Sequence, residues 1–309
     1  MPTYSDLIER NTPGGDPLVP EPMVAEVIKE AAKSSAILSR ARTVRMSSKT
    51  NRQPVLSVLP QAYWVSGDTG LKQTSKAEWE NVVLTAEELA VIVPVPEAYI
   101  ADSGVPIWDE VRPLLGQAIG QKIDAACVFG DDAPATFDTN IYDLADAAGN
   151  VVVAGTGDDL AVDVAAMGEL LATQGYSLSG FLSRPGFQWR LRGQRTQDGH
   201  PIYTEGDGLY GRPLNEVENG SWDATQAHLI GGDFSKAIVG IRQDVTFKVF
   251  TEGVISDSAG NVVLNLMQQD SVALRVVARY AFATAKPVTT LEATAADRAP
   301  FAILAPGSA

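Results

Sequence analysis

The sequence is poor in the residues on which metal sites and covalent crosslinks depend. Its 309 residues include one cysteine, Cys127, which excludes an intramolecular disulfide and a structural zinc site built from several cysteines. The two histidines, His200 and His228, are too few for most histidine-based metal sites. Cys127 falls on the apolar stripe of a predicted helix, which favours a small core residue over a nucleophile.

Long apolar runs and positive charge are also scarce. No stretch of about 18 apolar residues occurs, so no membrane span is predicted, and the N-terminus lacks the apolar region of a secretory signal. Lysine and arginine number 24 against 38 aspartates and glutamates, giving a formal net charge of −14. Such an acidic surface repels phosphate, so sequence-specific binding of nucleic acid is not expected as the main function.

Apolar residues, by contrast, are present in ordinary amount. They make up 45% of the chain, which is enough for a sizeable core and excludes wholesale disorder. The length allows one large domain or two closely associated ones, at roughly 150 residues each. The 27 glycines and 18 prolines indicate many turns.

The first third of the chain predicts an arm, a helix and a long hairpin. Residues 1–20 are polar and rich in proline and glycine, and an amphipathic helix follows from Pro22 to near Ala41. Residues 55–65 and 79–96 are strand-like and are joined by a polar tip at 66–76. A two-stranded hairpin is marginally stable alone, so this one is expected to need a neighbour.

The rest of the chain predicts alternating helices and strands. An apolar stripe from Ile107 to Cys127 predicts a long helix that Gly130 ends, with Pro113 marking either the start of its regular part or a kink. A second helix is predicted at 160–173 and a long strand at 272–287, and the tail after Glu292 is expected to be frayed. Turns at 146–150 and 257–261 have the aspartate and glycine of hairpins.

Motifs that would indicate an enzyme are incomplete. The string Gly155-Thr156-Gly157 begins like a dinucleotide-binding loop, but Leu160 stands where the third glycine belongs. The string around Ser177 resembles a nucleophile elbow until Ser179 replaces its last glycine. The pairs at 131–132 and 158–159 are acidic, and a solvated turn or a helix N-terminus explains them better than a calcium loop. No catalytic residue, cofactor or metal is therefore predicted.

The hairpin tip holds the candidate contact residues. Trp64 and Trp79 flank the tip, where they either anchor a partner or pack within the hairpin. Lys72 and Lys76 lie between them.

Several short strings occur in an informative order. They are found at residues 62–65, 79–84, 98–103, 124–130, 198–203, 209–214, 232–234 and 269–287. With the order of arm, helix, hairpin, long helix, mixed region and late strand, they resemble the major capsid proteins of tailed bacteriophages with the Hong Kong 97 fold. The resemblance covers roughly residues 18–291, nearly the whole chain.

The resemblance implies an α+β fold of this type and a division into parts. Residues 1–45 would form the arm and first helix, and 46–96 the extended-loop hairpin with its base strands. The peripheral domain would comprise 97–145 and 265–309, with a spine helix at 106–130 and the late long strand. The axial domain would comprise 146–264. The family often has a basic residue near Leu89, where this chain has Glu87 and Glu88, so intersubunit salt bridges based on that charge are not carried over.

The resemblance also implies a function and partners. The chain would be a structural capsid protein that self-assembles, in the host cytoplasm, into pentamers and hexamers of an icosahedral shell around double-stranded DNA, which it encloses without sequence-specific contacts. Trp64, Lys72, Lys76 and Trp79 would contact other subunits. A separate scaffolding protein, a portal protein and a decoration protein are the other expected partners. The alternatives are an encapsulin-like nanocompartment shell and, more remotely, an uncharacterised hydrolase.

Overall fold

The computed structural model describes residues 35–65, 71–72, 74–103, 106–157, 159–193, 208–257 and 259–307. The predicted arm, part of the hairpin tip and the string at 198–203 lie outside these ranges. The elements of the described ranges are α1 (Ala36–Arg40), β1 (Arg42–Arg45), β2 (Thr50–Val58), β3 (Glu78–Thr85), β4 (Glu87–Pro96), α2 (Glu97–Asp102), α3 (Ile107–Val128), α4 (Ile141–Ala147), β5 (Val151–Val153), α5 (Leu160–Thr173), β6 (Gly180–Ser183), α6 (Phe187–Gly193), β7 (Leu214–Glu216), β8 (Leu229–Gly232), β9 (Ala237–Phe250), β10 (Val254–Ser256), β11 (Val262–Asn265), β12 (Ser271–Thr284) and β13 (Phe301–Ala305). No helix in these ranges is long and apolar enough to cross a membrane.

A four-stranded sheet in the order β1-β9-β12-β4 carries the long helix α3. The predicted late strand is confirmed as β12, which pairs antiparallel with both β4 and β9. Its side chains at Leu274, Val276, Ala278 and Tyr280 are buried in one core with Ile119, Ile123 and Cys127 of α3. The alternation of strand side chains thus meets the stripe of a helix, which is why both patterns were readable in the sequence.

Helix α3 confirms the predicted spine helix almost end to end. It begins after Pro106 and runs through Pro113, so the helix starts before this proline and not at it. It ends before Gly130, whose φ of +79° few other residues adopt. A Cβ at Gly130 would also lie 2.4 Å from Nδ2 of Asn140, so the glycine is required for close approach as well.

A five-stranded sheet in the order β5-β13-β8-β6-β7 forms the second layer. Its strands alternate between two cores: Leu182 and Ile230 face the core of α3 and α4, whereas Phe181 and Leu229 face the core of α5. The predicted helix at 160–173 is confirmed as α5.

The expectation of a frayed tail is wrong. Strand β13 lies inside the five-stranded sheet, parallel to β5 and antiparallel to β8, and its first four residues are buried. The buried amide of Asn150 holds it, because Nδ2 donates to the carbonyls of Ala299 and Phe301 at 3.2 and 3.1 Å. The domain boundaries given above stay a prediction, but β13 shares this sheet with β5 to β8.

The two aspartate–glycine turns have different structures. The turn at 257–261 joins β10 to β11 as predicted, and Oδ1 of Asp257 accepts from the backbone of Ala259 and Asn261. The turn at 146–150 is no hairpin, because it ends α4 and leads into β5, whose partner β13 is parallel to it. There Gly149, with φ +72°, donates to the carbonyl of Asp146 while Asn150 donates to that of Ala145, a Schellman helix end.

Candidate inter-subunit site

The hairpin of β2 and β3 is a separate two-stranded sheet with a buried base. Thr50 pairs with Thr85 and the ladder runs outward to Val58 opposite Glu78. The predicted run at 79–96 is divided at Ala86 into the two strands β3 and β4. The backbone N–H of Ala86 donates to the carbonyl of Lys49. Leu84 and Ala86 are fully buried against a small cluster formed by Met46, Ile238, Ala281 and Ala283. The base of the hairpin is therefore part of a core of the subunit.

The base is also fixed by charge. The carboxylate of Glu87 lies 3.5 Å from Nζ of Lys49 and accepts from Oγ1 of Thr136 at 3.1 Å, which ties the hairpin base to the segment after α3. An open groove of about 450 Å³ lies beside this junction, between the outer hairpin and Lys286. The strand β2 still contacts the body there, because the carbonyl of Leu56 accepts from the backbone N–H of Val288 at 3.0 Å.

The predicted contact residues lie on this outer part. Trp64 is fully exposed and Trp79 is 67% exposed, so packing within the hairpin does not explain Trp64. Lys72 is exposed, and the ammonium of Lys76 contacts the carboxylate of Glu78 on the same strand end. The backbone N–H of Gln61 donates to Oγ of Ser75 at 2.6 Å and joins the two sides of the connection. The contact of these residues with other subunits stays a prediction.

The tip also carries apolar side chains that the sequence analysis did not single out. Leu71 is 92% exposed, and Tyr63 and Val65 are exposed on either side of Trp64. A group of large apolar side chains on one projection is typical of an interaction site. The signal was present in the sequence as the run 62–65, whose burial only the structure could decide.

A buried carboxylate that sequence reasoning missed joins three segments of the body. Asp124 on α3 accepts from Oγ of Ser35, from the backbone of Ala36 at 2.8 Å and of Ile37 at 3.1 Å, and from Nδ2 of Asn219 at 2.6 Å. Burial raises the pKa of Asp124, and these four donors oppose that rise. The carboxylate thereby fixes α1, the first described helix, against α3.

The residues that resembled enzyme motifs have structural roles. The backbone N–H groups of Gly155 and Gly157 both donate to the carboxylate of Asp163 at 2.7 Å, so an internal carboxylate fills the position of a phosphate. Oγ of Ser179 donates to the carbonyl of Gly232 and accepts from the backbone of Phe234. Ser177 precedes β6 while His228 lies beside Arg184 just after it, so the strand separates this serine from that histidine.

The other residues considered as nucleophile or metal ligands also have structural roles. Cys127 is buried, and burial followed by the field of Asp124 raises the pKa of its thiol well above its usual value. Asp159 caps α5 by accepting from the backbone of Ala161 and Val162. Asp132 lies in the turn after α3, where its carboxylate contacts Lys122. Within the described ranges no group of three or more metal-ligating side chains occurs.

Comparison with known proteins agrees with this geometry. Residues 15–288 match the model of the phage capsid family. The major capsid protein of Staphylococcus phage 80alpha is 26% identical over 278 residues, which is 88% of this chain and 83% of the relative.

Solved structures give the same result. A structure from Microbacterium phage Oxtober96 is 39% identical with a TM-score of 0.84, covering 94% of this chain and 97% of that one. One from Mycobacterium phage Adephagia is 32% identical with a TM-score of 0.85, covering 95% and 96%. These matches confirm the Hong Kong 97-like fold and do not favour the encapsulin-like alternative. The chain therefore belongs to the phage capsid family, as a major capsid protein of tailed phages.

Proposed function

We propose that this chain builds a closed icosahedral shell of pentamers and hexamers around a double-stranded DNA genome. The observation that supports this most is the hairpin, whose base is buried in its own subunit and whose apolar tip is not. As a capsid protein the chain is part of the virion, and copies of it assemble into a shell. The geometry of that shell is the proposal.

The tip supplies the attraction between copies. Burying a large apolar side chain contributes about 2 kcal/mol, and Trp64 and Leu71 are almost fully available for such burial. A single contact of this size holds two subunits weakly. In a closed shell every subunit contacts one neighbour with its own tip and receives the tip of another. Many weak contacts of this kind together stabilise the particle.

The charge of the chain fits the proposed content of the shell. With a formal net charge of −14, the protein is repelled by DNA phosphates, so the packaged genome is enclosed without being bound tightly. Assembly in the host cytoplasm, with a scaffolding protein, a portal protein and a decoration protein as partners, belongs to the same proposal and rests on the sequence resemblance.

The test is assembly of the purified full-length chain, with and without a scaffolding protein from the same phage. Sedimentation and negative-stain microscopy should show closed particles, and averaged images should show five- and six-membered units. The double variant Trp64→Ser with Leu71→Ser should lose particles while the melting temperature of the subunit stays the same. Leu114→Ser, at an exposed leucine of α3, is the matched control. A persistent monomer or dimer in the presence of scaffold would contradict the proposal.

A further inference from the structure

Asn219 is the one asparagine of the chain that is followed by glycine. It lies buried in the loop between β7 and β8, and its side chain contacts α3. The nitrogen of the residue after an asparagine can attack the side-chain carbonyl carbon, because the product is a five-membered ring. A glycine at that position has no Cβ to obstruct the attack. The reaction further needs a free nitrogen, a polarised carbonyl and a proton donor.

The nucleophile of such a reaction, the backbone nitrogen of Gly220, is free. Gly220 is exposed and has a φ of +80°, and its carbonyl accepts from Nε2 of Gln121 at 3.3 Å. Within the described ranges, the N–H of Gly220 donates to no acceptor. No hydrogen bond therefore has to break before this nitrogen attacks, and water reaches the site from the exposed side.

The side-chain carbonyl of Asn219 is polarised by two donors. Its Oδ1 accepts from the backbone N–H of Ser221 at 3.1 Å and from Oγ of the same residue at 2.6 Å. When a nitrogen adds to the carbonyl carbon, negative charge develops on this oxygen. Two donors that already point at the oxygen stabilise that charge without further rearrangement.

The leaving nitrogen of Asn219 lies against a buried carboxyl group. Nδ2 donates to Oδ2 of Asp124 at 2.6 Å. Burial raises the pKa of Asp124, although its hydrogen bonds oppose the rise, so this carboxyl is protonated more often than that of an exposed aspartate. In its protonated form the carboxyl donates a proton to a nitrogen that leaves as ammonia.

We propose that Asn219 and Gly220 are a self-modifying site, at which the asparagine of the folded subunit loses ammonia and becomes aspartate or isoaspartate. The nitrogen of Gly220 forms a bond to Cγ of Asn219, the bond from Cγ to Nδ2 breaks, and a succinimide ring results. Asp124 gives its proton to the leaving nitrogen, and the proton released by Gly220 restores that carboxyl. One water molecule then opens the ring at either of its two carbonyls. Ammonia is the only other product, and nothing is oxidised or reduced.

The product changes the contact that attaches α1 to α3. Conversion removes the donor Nδ2 and places a second carboxylate beside Asp124 in a buried position, where two negative charges repel each other. The carboxylate of Asp124 also accepts from Ser35, Ala36 and Ile37, so the repulsion weakens the attachment of α1. The reaction proceeds in the single subunit, independently of the proposed shell, and the subunit loses stability as it ages.

Conversion is followed in the full-length subunit at neutral pH by peptide mass spectrometry and by enzymatic methylation of isoaspartate. Asn219 should be converted, whereas Asn261, whose amide also donates to an aspartate but which precedes Val262, should not. The chain unfolded in urea gives the rate that the sequence alone produces. The folded subunit should convert Asn219 at least as fast as the unfolded chain. A slower conversion in the folded subunit would overturn the inference.

Two variants of the loop test the assigned donors. Ser221→Ala keeps the backbone N–H but removes Oγ, and it should slow conversion in the folded subunit at least about tenfold without changing the rate in urea. Thr225→Ala removes a hydroxyl that donates to Asp223 in the same loop, and it should leave both rates unchanged. Equal rates for folded Ser221→Ala and the folded unmodified subunit would also overturn the inference. If Ser221→Ala does not fold, the comparison of folded and unfolded rates decides by itself.

The expected loss of stability has its own measurement. Asn219→Asp reproduces one product, and it should lower the melting temperature by about 5 °C or more. Asn261→Asp adds the same charge at an exposed turn and should lower it less. Incubated unmodified subunit should gain a second unfolding transition at the temperature of Asn219→Asp, in proportion to the converted fraction. A melting temperature of Asn219→Asp equal to that of the unmodified subunit would overturn the assigned effect on α1.

Discussion

Asp124 decides how the start of the described chain is attached to the spine helix. Its carboxylate has four donors from Ser35, Ala36, Ile37 and Asn219, which come from two segments far from it in sequence. Buried donors that lose their acceptor each cost about 1–3 kcal/mol. Through these four hydrogen bonds, Asp124 contributes more to the stability of the folded subunit than an exposed aspartate of the same helix does.

Replacement of Asp124 should be strongly destabilising. We expect Asp124→Ala to lower the free energy of unfolding by about 3 kcal/mol or more, because four donors lose their acceptor at once. Urea unfolding of the full-length subunit measures this. Asp109→Ala, at an exposed position of the same helix that pairs with Arg112, should cost less than about 1 kcal/mol. Equal losses in both variants would refute the assigned role.

His228 should give the subunit a defined sensitivity to acid. Its folded pKa of about 4 lies below the unfolded value near 6.5, so the unfolded chain binds the proton more readily. The stabilisation is therefore complete above pH 6.5 and is lost as the pH falls towards 4. Between pH 7 and pH 5 the unmodified subunit should lose about 1 kcal/mol more than His228→Gln, allowing for solvent screening. Parallel urea titrations at the two pH values test this, and identical pH dependence of both proteins would contradict it.

Single residues differ in how far the sequence reveals them. The burial of Cys127 followed from its place on the apolar stripe of α3. Asp124 lies on the same buried side, and a charged residue there was a sign of an internal partner. The partners themselves are 88 and 95 residues away, and spacing within one helix carries no information on them. The same holds for Asn150, whose carbonyl partners lie about 150 residues further on.

At the scale of elements, the hairpin shows a division between folding and assembly. Its base is held by Leu84 and Ala86 in the body and by the contacts of Glu87 with Lys49 and Thr136. Its connection is exposed along the described part and adds nothing to a described core. The base therefore supports the subunit, and the tip is available for a neighbour.

Shortening the tip should separate these two roles. Replacing residues 62–74 by a three-residue Gly-Asn-Gly turn should leave the melting temperature of the subunit within about 2 °C, since no core residue is removed. The same variant should form no closed particles, or misshapen ones, by negative-stain microscopy. A second variant keeps the length but replaces residues 62–74 with glycine and serine, which tests the side chains alone. A large drop in melting temperature for either variant would mean that the tip packs on its own subunit.

Local patterns predicted the elements whose partners are close or whose periodicity is long. Helices α3 and α5 and strand β12 were found because each repeats its pattern over more than ten residues. Strand β13 has five residues between Pro300 and Pro306 in an alanine-rich tail, so nothing in its surroundings indicated order. Its partners β5 and β8 are about 150 and 70 residues away, and only the closed sheet brings them together.

At the scale of the whole molecule, the distribution of contacts favours a subunit that is complete only among its copies. The two main cores lie on opposite faces of the five-stranded sheet and account for the body. The hairpin tip lies outside them, with Trp64 and Leu71 almost fully exposed. An exposed apolar projection outside both cores suits a subunit that contacts neighbouring copies, as a shell of identical chains requires.

The last prediction concerns the chemical nature of that closure. Some capsids of this type weld their subunits by an isopeptide bond, which needs a lysine held neutral, an asparagine as electrophile and a carboxylate in an apolar pocket. Lys72 is exposed, and Lys76 is exposed and contacts Glu78, so neither of these two lysines lies in a buried apolar pocket. Strand β12 contains no asparagine, and Asn261 already donates to Asp257 in the β10–β11 turn. We therefore expect noncovalent closure: mature particles boiled in SDS should run as one band near 32.8 kDa, whereas a ladder of multimers that survives boiling and reductant would establish a covalent crosslink.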